Sequence, residues 1–463
     1  MTSALRTGET GQGQIERMRT ALRSGWYMVI LLTAAQIVSY IDRFLPSLLI
    51  GPIKADLGLT DFQVGLLLGP AFGVFYVLMG LPIGWMADRY SRRGILAAGI
   101  TIWCSMTALA SMAKGFPALF ATRLGVGLGE AALAPCTVSL ISDRFPREKR
   151  ARALSVFMSG TFLGAGAAFL LGGPLVYAIT GLPGVVVPLL GELKPWQMSF
   201  LVVGLPGLIL AALMFSFTEP TRRERAVDVE SGLTGEKASI PQALRFIRAR
   251  WRTFGVLFVG SAAVVTMGSL AFWNASLFER SFGWNVRDVG IATGVLFLTG
   301  GPIGTVIGIW LTNRWVKQGR KDATMRALLC GLFVAVPGFA AYPIMPTASL
   351  AIVALFFAFV GQAMAAAAGP ASLSLIAPGQ IKSQATAIYY LVISISGQLI
   401  GPPPVGWMTD MFGDPAKLGW AMTIEAATVG GAALIIVSLG LSAYRRGVEA
   451  VERMIGEEDG GHG

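Results

Sequence analysis

Histidine is almost missing: His462 is the only one in 463 residues. A proton relay or metal site built on imidazole is thereby excluded, and proton handling must fall to carboxylates. Cysteine is nearly as scarce. Cys104, Cys136 and Cys330 share no ligand spacing and fall in apolar stretches, where they read as small apolar residues. No phosphate-binding loop of the G-x-x-x-x-G-K-[ST] kind occurs, which argues against an ATP-driven pump. No nucleophile–base arrangement points to an enzyme, and nothing calls for a metal or an organic cofactor. Charge is thin, 14% of residues against about 25% in a soluble domain.

In place of charge there are long apolar runs. Twelve reach the roughly 20 residues that a membrane crossing needs: 26–50, 62–87, 94–113, 116–141, 152–179, 198–217, 253–278, 288–312, 326–345, 349–377, 384–408 and 419–443. With the N-terminus inside, 29 Lys and Arg fall on the inner segments and 6 on the outer loops, so both termini are expected in the cytoplasm. The net charge of +11 then reflects topology and contact with anionic membrane lipids, not nucleic-acid binding. The polar residues 1–25 form a cytoplasmic tail rather than a cleavable signal. The domain reading is a six-helix bundle over 26–217, a linker over 218–252, a second bundle over 253–443 and a tail over 444–463. Within the linker, Ile240, Leu244, Ile247 and Trp251 form a stripe beside Arg245, Arg248 and Arg252, which suits a helix at the membrane surface or a plain charged linker.

Internal similarity refines this. Pro82-Ile83-Gly84-Trp85-Met86-Ala87-Asp88 ends the second span and Pro404-Val405-Gly406-Trp407-Met408-Thr409-Asp410 ends the eleventh, at opposite membrane faces. Gly172-Gly173-Pro174 and Gly300-Gly301-Pro302 recur in spans five and eight. Inverted three-helix repeats produce such pairs.

Four ionisable groups lie inside spans: Asp42 and Arg43 in the first, Arg123 and Glu130 in the fourth. Each costs about 2.5–3.5 kcal/mol at a helix centre, so their presence marks a substrate path or proton relay. Arg123 and Glu130, seven residues apart, share a face with ~10 Å between them. Depth favours Asp42 with Arg123, Glu130 deeper, and Arg43 available to either. Glu130 is the expected proton acceptor, with Asp42 orienting an arginine and sharing the proton; Arg43 and Arg123 would fork onto a phosphate or carboxylate. A static ion-pair network that fixes helix packing is the alternative. The second half has no central charge. Its cavity candidates are Asn274, Gln362, Tyr389, Tyr390 and Gln398, while Glu279 and Glu425 read as interface residues. A charged half facing a greasy half suits an amphipathic lipid.

Gly84-Trp85-Met86-Ala87-Asp88-Arg89-Tyr90-Ser91-Arg92-Arg93 resembles the cytoplasmic loop motif of the major facilitator superfamily, with Ser91 where glycine is usual. Gly84 would let a facing helix approach. Asp88 would face the N-terminus of span eleven near Ser383, or Arg144, and with Arg89 and Arg92 would hold the cytoplasmic side shut. The matching loop, Thr312-Asn313-Arg314-Trp315, lacks the acid, so its gate should be weaker. The glycines of span five, Gly160, Gly164, Gly166, Gly172 and Gly173, first offer a packing surface.

Ser39-Tyr40-Ile41-Asp42-Arg43-Phe44 and Arg123-Leu124-Gly125-Val126-Gly127-Leu128-Gly129-Glu130-Ala131 are similar to the spinster family of that superfamily. Ile141-Ser142-Asp143-Arg144-Phe145 extends the likeness. The resemblance implies an all-α fold of twelve helices in two bundles, a monomer in a bacterial inner membrane, and transport of a lysophospholipid or sphingoid-type lipid linked to protons. An exporter of small organic anions or drugs and an uncoupled lipid facilitator or scramblase are the alternatives.

Overall fold

The computed structural model describes residues 11–187, 191–222 and 240–460. The expectations for the first ten residues, the middle of the linker and His462 lie outside the described residues. Twelve helices are long and apolar enough to cross a membrane: Gly25–Leu48, Asp61–Arg89, Arg92–Ala110, Phe116–Arg144, Glu148–Thr180, Pro195–Ser216, Trp251–Phe282, Val286–Lys317, Ala323–Ile344, Ala348–Ile376, Gly379–Phe412 and Pro415–Met454. They are numbered here as spans one to twelve. Helices fill this role because lipid offers backbone amides no partner outside the helix itself.

The ends differ from the sequence reading. The first helix begins at Gly11, ahead of the apolar run. The last runs unbroken from Leu418 to Gly460, so the expected tail from 444 is largely helix. Tyr444 shows why: it is fully buried and its hydroxyl donates to the Ser372 carbonyl at 2.8 Å. The one sheet among the described residues is a hairpin between spans five and six, Val185–Val187 against Gly191–Leu193. In the linker, Ile240–Ala249 is a helix with Ile240 and Leu244 exposed and Ala243 buried.

Four spans are interrupted. Span two breaks at Gly69, ahead of Pro70, which opens the next segment with no N–H to lose. Span four breaks at Ala131 and Ala132, directly after Glu130. Span seven passes through a 3₁₀ turn at Leu270–Trp273, and span eleven through a π segment at Ile395–Ile400. Such departures mark places where a helix can bend.

Spans one to six and seven to twelve form two bundles that meet along two seams. Spans two and eleven cross at glycine: a Cβ on Gly65 would stand 2.8 Å from the Pro402 carbonyl oxygen, and one on Gly406 would strike the Asp61 carbonyl. Spans five and eight do the same, with a Cβ on Gly173 meeting the Val286 carbonyl oxygen at 2.7 Å. Both seams are tight toward the end of the molecule that carries Asp61 and Asp410. Phe44 and Phe169 of the first half interlock there with Phe272 and Phe297 of the second, at centroid distances from 4.9 Å to 5.9 Å. Above this plug, Arg280 donates to both carboxylate oxygens of Asp61 at 2.8 and 3.1 Å. Lys54 pairs with Asp61 at 2.7 Å. Asp410 accepts from the backbone N–H groups of Asp61 and Phe62 at 3.0 and 2.8 Å, so the second half caps the start of span two.

The Asp88 end is open by comparison. A Cβ on Gly84 would meet nothing within 4 Å, so the close helix approach expected there is absent in this conformation. Replacing Gly406 by Leu should force spans two and eleven apart at the Asp61 end. Spin labels on Ala55 and Ala416, measured by double electron–electron resonance, should report a longer distance in Gly406→Leu than in the parent chain. An unchanged distance would show that the seam tolerates a side chain.

Candidate functional site: a buried charge quartet

The four intramembrane charges come together as two pairs. Arg43 donates to Glu130 Oε2 at 2.7 Å, and Ser39 donates to the same oxygen at 2.7 Å. Arg123 stands 3.5 Å from Asp42 Oδ1 and donates to the Asp42 backbone carbonyl at 3.3 Å. The Thr107 hydroxyl lies 2.6 and 2.7 Å from the two Asp42 oxygens. The helix periodicity explains the arrangement. Asp42 and Arg43 are neighbours and point to different depths, and two turns of span four separate the partners that meet them. The pairing of Asp42 with Arg123 follows the expected depth order, and Arg43 takes Glu130.

Valences are left open on both arginines and on Glu130. Glu130 Oε1, Arg43 Nε and both Nε and Nη1 of Arg123 are buried without a hydrogen-bond partner. Arg43 alone keeps an appreciable part of its side chain, 15%, accessible; those of Glu130, Asp42 and Arg123 are at 0%, 3% and 2%. Its guanidinium carbon lies 4.4 Å from the Phe72 ring centroid, 5.1 Å from Tyr40 and 5.2 Å from Tyr76. Three aromatic faces around one cation contribute about 0.5–2 kcal/mol each and hold it in place without using its donors. The sequence reading passed over Phe72 and Tyr76. Their i, i+4 spacing on span two, with rings stacked at 5.2 Å, was the available signal.

The second-half candidates are dispersed. Tyr390 is exposed and Gln362 is half-buried. Gln398 lies in the π segment, against Gly73 of span two, with Oε1 unpartnered. Tyr389 is buried beside Phe258. Asn274 is fully buried, and its Oδ1 accepts from Tyr342 at 2.9 Å, which turns it into the second bundle rather than toward the quartet. Glu425 is 5% exposed, so it is not the interface residue its position suggested. Glu279 lies at the Asp61 end, its carboxylate over Gly51 of the first half.

The expected gate residues also separate. Asp88 is exposed, with no hydrogen bond or ion pair among the described residues, and so meets neither Ser383 nor Arg144 in this conformation. Arg144 packs its stem on Gly25. Arg89 lies over the Trp85 ring at 4.0 Å. Arg92 is fully buried and belongs to no opening: it pairs with Asp143, donates to Ser139 at 2.9 Å, to Glu219 at 3.1 Å and to the Pro220 carbonyl at 2.7 Å. It therefore ties together spans three and four and the end of span six. Ser91, where glycine is usual, caps span three by accepting from Gly94 N–H and donates to Glu219 at 2.6 Å.

The Major Facilitator Superfamily model matches residues 32–325. The chain is 26% identical to an MFS-type efflux pump of Mycolicibacterium smegmatis, over 92% of this chain and 95% of that protein. It is 27% identical to protein spinster homolog 1 of Xenopus laevis, over 91% and 82%. A probable L-galactonate transporter of Escherichia coli is 24% identical over 69% of each. Among solved structures, a bacterial homologue of the human lysosomal transporter spinster, inward-facing and unoccupied, superposes with a TM-score of 0.74 at 23% identity, covering 93% of this chain and 98% of that one.

Breaking the Arg92 cluster should be costly, because Arg92→Ala removes a buried cation that pairs with both Asp143 and Glu219. A loss of about 3–5 kcal/mol is expected, read as a lowered thermal midpoint in detergent. Glu219 adds a pH dependence. Burial pushes its carboxyl up, but hydrogen bonds from the Ser91 hydroxyl and from the backbone and guanidinium of Arg92 outweigh this and hold it below the usual range. A group so lowered stabilises the fold above its unfolded-state value, and the contribution is lost as pH falls through the lowered one. Glu219→Gln should lower stability at neutral and alkaline pH, where the parent keeps the contribution in full, and flatten the acid side of the profile.

Proposed function

The chain belongs to the major facilitator superfamily and is a transporter of spinster type; from that premise we propose that it moves an anionic amphipathic lipid by alternating access, in exchange with or together with protons carried at Glu130 and Asp42. A lysophospholipid or sphingoid-type lipid is the proposed class of cargo. The positive-inside bias supports a cytoplasmic Asp88 end, and with that orientation the present conformation is inward-open. The site then faces the cytoplasm below an aromatic plug.

One observation carries the reading. Arg43, in its aromatic cage, is the quartet member whose side chain keeps appreciable accessible surface, and one oxygen of Glu130 holds one arm of its fork. Arginine does not give up its proton, so the carboxylate must switch. Protonation at the unpartnered Oε1 would cancel the charge on Glu130 and release the guanidinium for a phosphate or carboxylate, which it grips through two parallel N–H bonds. Asp42 and Arg123 repeat the arrangement closer to the plug. The lipid tail would lie along the apolar second half. Opening of the outer end would undo the Asp61–Arg280 clasp, and closure of the inner end would bring Asp88 onto the first turn of span eleven.

The relatives named as an MFS-type efflux pump and a probable L-galactonate transporter support a second reading, export of small organic anions or drugs through the same arginines. Tail-length dependence of binding separates the two. The test is uptake of fluorescent lysolipid and sphingoid analogues in proteoliposomes, with and without an imposed pH gradient. The gradient should drive uptake by the parent chain, and Glu130→Gln should still bind but lose the response. Equal movement without a gradient and in the variant would replace coupling by facilitated or scrambling transport. Arg43→Lys should weaken head-group binding about tenfold, the loss of one charge-assisted hydrogen bond.

A further inference from the structure

Glu425 plays no part in the quartet, and its surroundings give it a role of its own. It lies on span twelve where that helix packs against spans seven and nine. The packing is close: Thr423 donates to the Ala340 carbonyl at 2.8 Å, and Gly419 abuts the Pro343 carbonyl. Glu425 is 5% exposed, its Oε2 is buried without a hydrogen-bond partner, and no ion pair to it exists among the described residues. The charged and titratable groups of the neighbouring elements are engaged or distant. On span seven, Arg280 is held by Asp61, Glu279 lies over Gly51, and Arg252 is at the other end. On span nine, Arg326 pairs with Asp322 at the far end, where Cys330 also lies. Asp410 of span eleven is spent on the start of span two, Lys417 is exposed, and span ten has no titratable residue. Tyr342 is fully buried at the end of span nine, where that helix packs on span twelve.

We propose that Glu425 is a second proton site, holding its proton in this conformation and forming with Tyr342 and Asn274 a neutral latch on the outer segment of span seven. An ionised carboxylate in this pocket would be a buried charge with no partner, which costs far more than keeping the proton. The protonated form fits the unspent valences. Tyr342 uses its own proton on Asn274 Oδ1 and can accept one from Glu425, and the Nδ2 group of Asn274, buried without a partner, can donate to the remaining Glu425 oxygen.

Asn274 is the first residue of the segment Asn274–Phe282, just past the 3₁₀ turn of span seven. That segment carries Arg280, which seals the Asp61 end. Loss of the Glu425 proton would open the latch, free Asn274 and loosen the placement of Arg280. This latch acts independently of the lipid and of Glu130.

Infrared spectroscopy tests it directly. At neutral pH the purified chain should show a protonated carboxyl C=O band, one component of which disappears in Glu425→Gln and persists in Glu130→Gln. Tyr342→Phe should shift the frequency of that component and leave its amplitude. With labels on Ala55 and Ala416, alkaline pH should broaden the distance distribution of the parent chain and leave that of Glu425→Gln unchanged. A carboxyl band identical in the parent and Glu425→Gln, a frequency untouched by Tyr342→Phe, or equal pH responses in the two chains would each overturn the proposal.

Discussion

The structure depends on cancelling four charges in a place that cannot solvate them. Asp42, Arg43, Arg123 and Glu130 sum to zero, and each cation has an anion within 3.5 Å. Either pair broken by itself would leave a bare charge in the interior. The pairs run between spans one and four, so they lock elements of the same half and leave that half to move as a body. The neutrality also constrains chemistry. An anion that enters beside Arg43 raises the negative charge of the site by its own amount, and a proton on Glu130 restores the balance. In the proposed cycle, head-group binding and protonation are therefore linked by electrostatics before any conformational change takes place.

Movement is left to the seams. Spans two and eleven, and five and eight, touch through glycines whose missing side chains let backbones meet. Such contacts are tight or absent, with little in between, because packed interiors favour discrete arrangements. The helical interruptions lie where such a switch would need them. Those of spans two and eleven fall on the same seam, and that of span seven adjoins span eleven, where Ser269 fills the notch at Gly401. Span four breaks immediately after Glu130, so a change in the charge of that residue acts at a bend rather than in the middle of a rigid rod.

The spans, their breaks into two halves and the quartet were legible because hydrophobicity and intramembrane charge are local signals. Asp42, Arg43, Arg123 and Glu130 stand out against apolar neighbours whatever the tertiary fold. Residues whose role comes from a partner far along the chain were not legible. Arg92 reads as a loop cation and is a buried hub, because Asp143 and Glu219 are distant in sequence. Glu425 reads as an end-of-helix residue and is buried, because the adjoining ends of spans seven and nine cover it. The aromatic cage was hidden for the opposite reason: Phe72 and Tyr76 look like any other apolar residues of a span until Arg43 is found between them.

The repeated heptapeptide explains how one geometry can serve both ends of the molecule. Asp410 closes the second copy and caps the first turn of span two; Asp88 closes the first copy and stands exposed. A carboxylate on a helix N-terminus contributes about 0.3–1 kcal/mol, and inverted repeats make the two docking sites equivalent in kind. Two rigid halves pivoting on a central site cannot engage both at once, so each acid competes with the other for the same motion. The competition is uneven. At the Asp61 end the cap is reinforced by Arg280, which reaches across from the second half to Asp61, whereas Asp88 has only the cation-bearing loop around it. An ion pair that crosses between the halves weights the empty protein toward the state in which the Asp61 end is shut. A difference of a few kcal/mol is what a bound ligand or proton can reverse, and a larger one would hold the transporter in a single state.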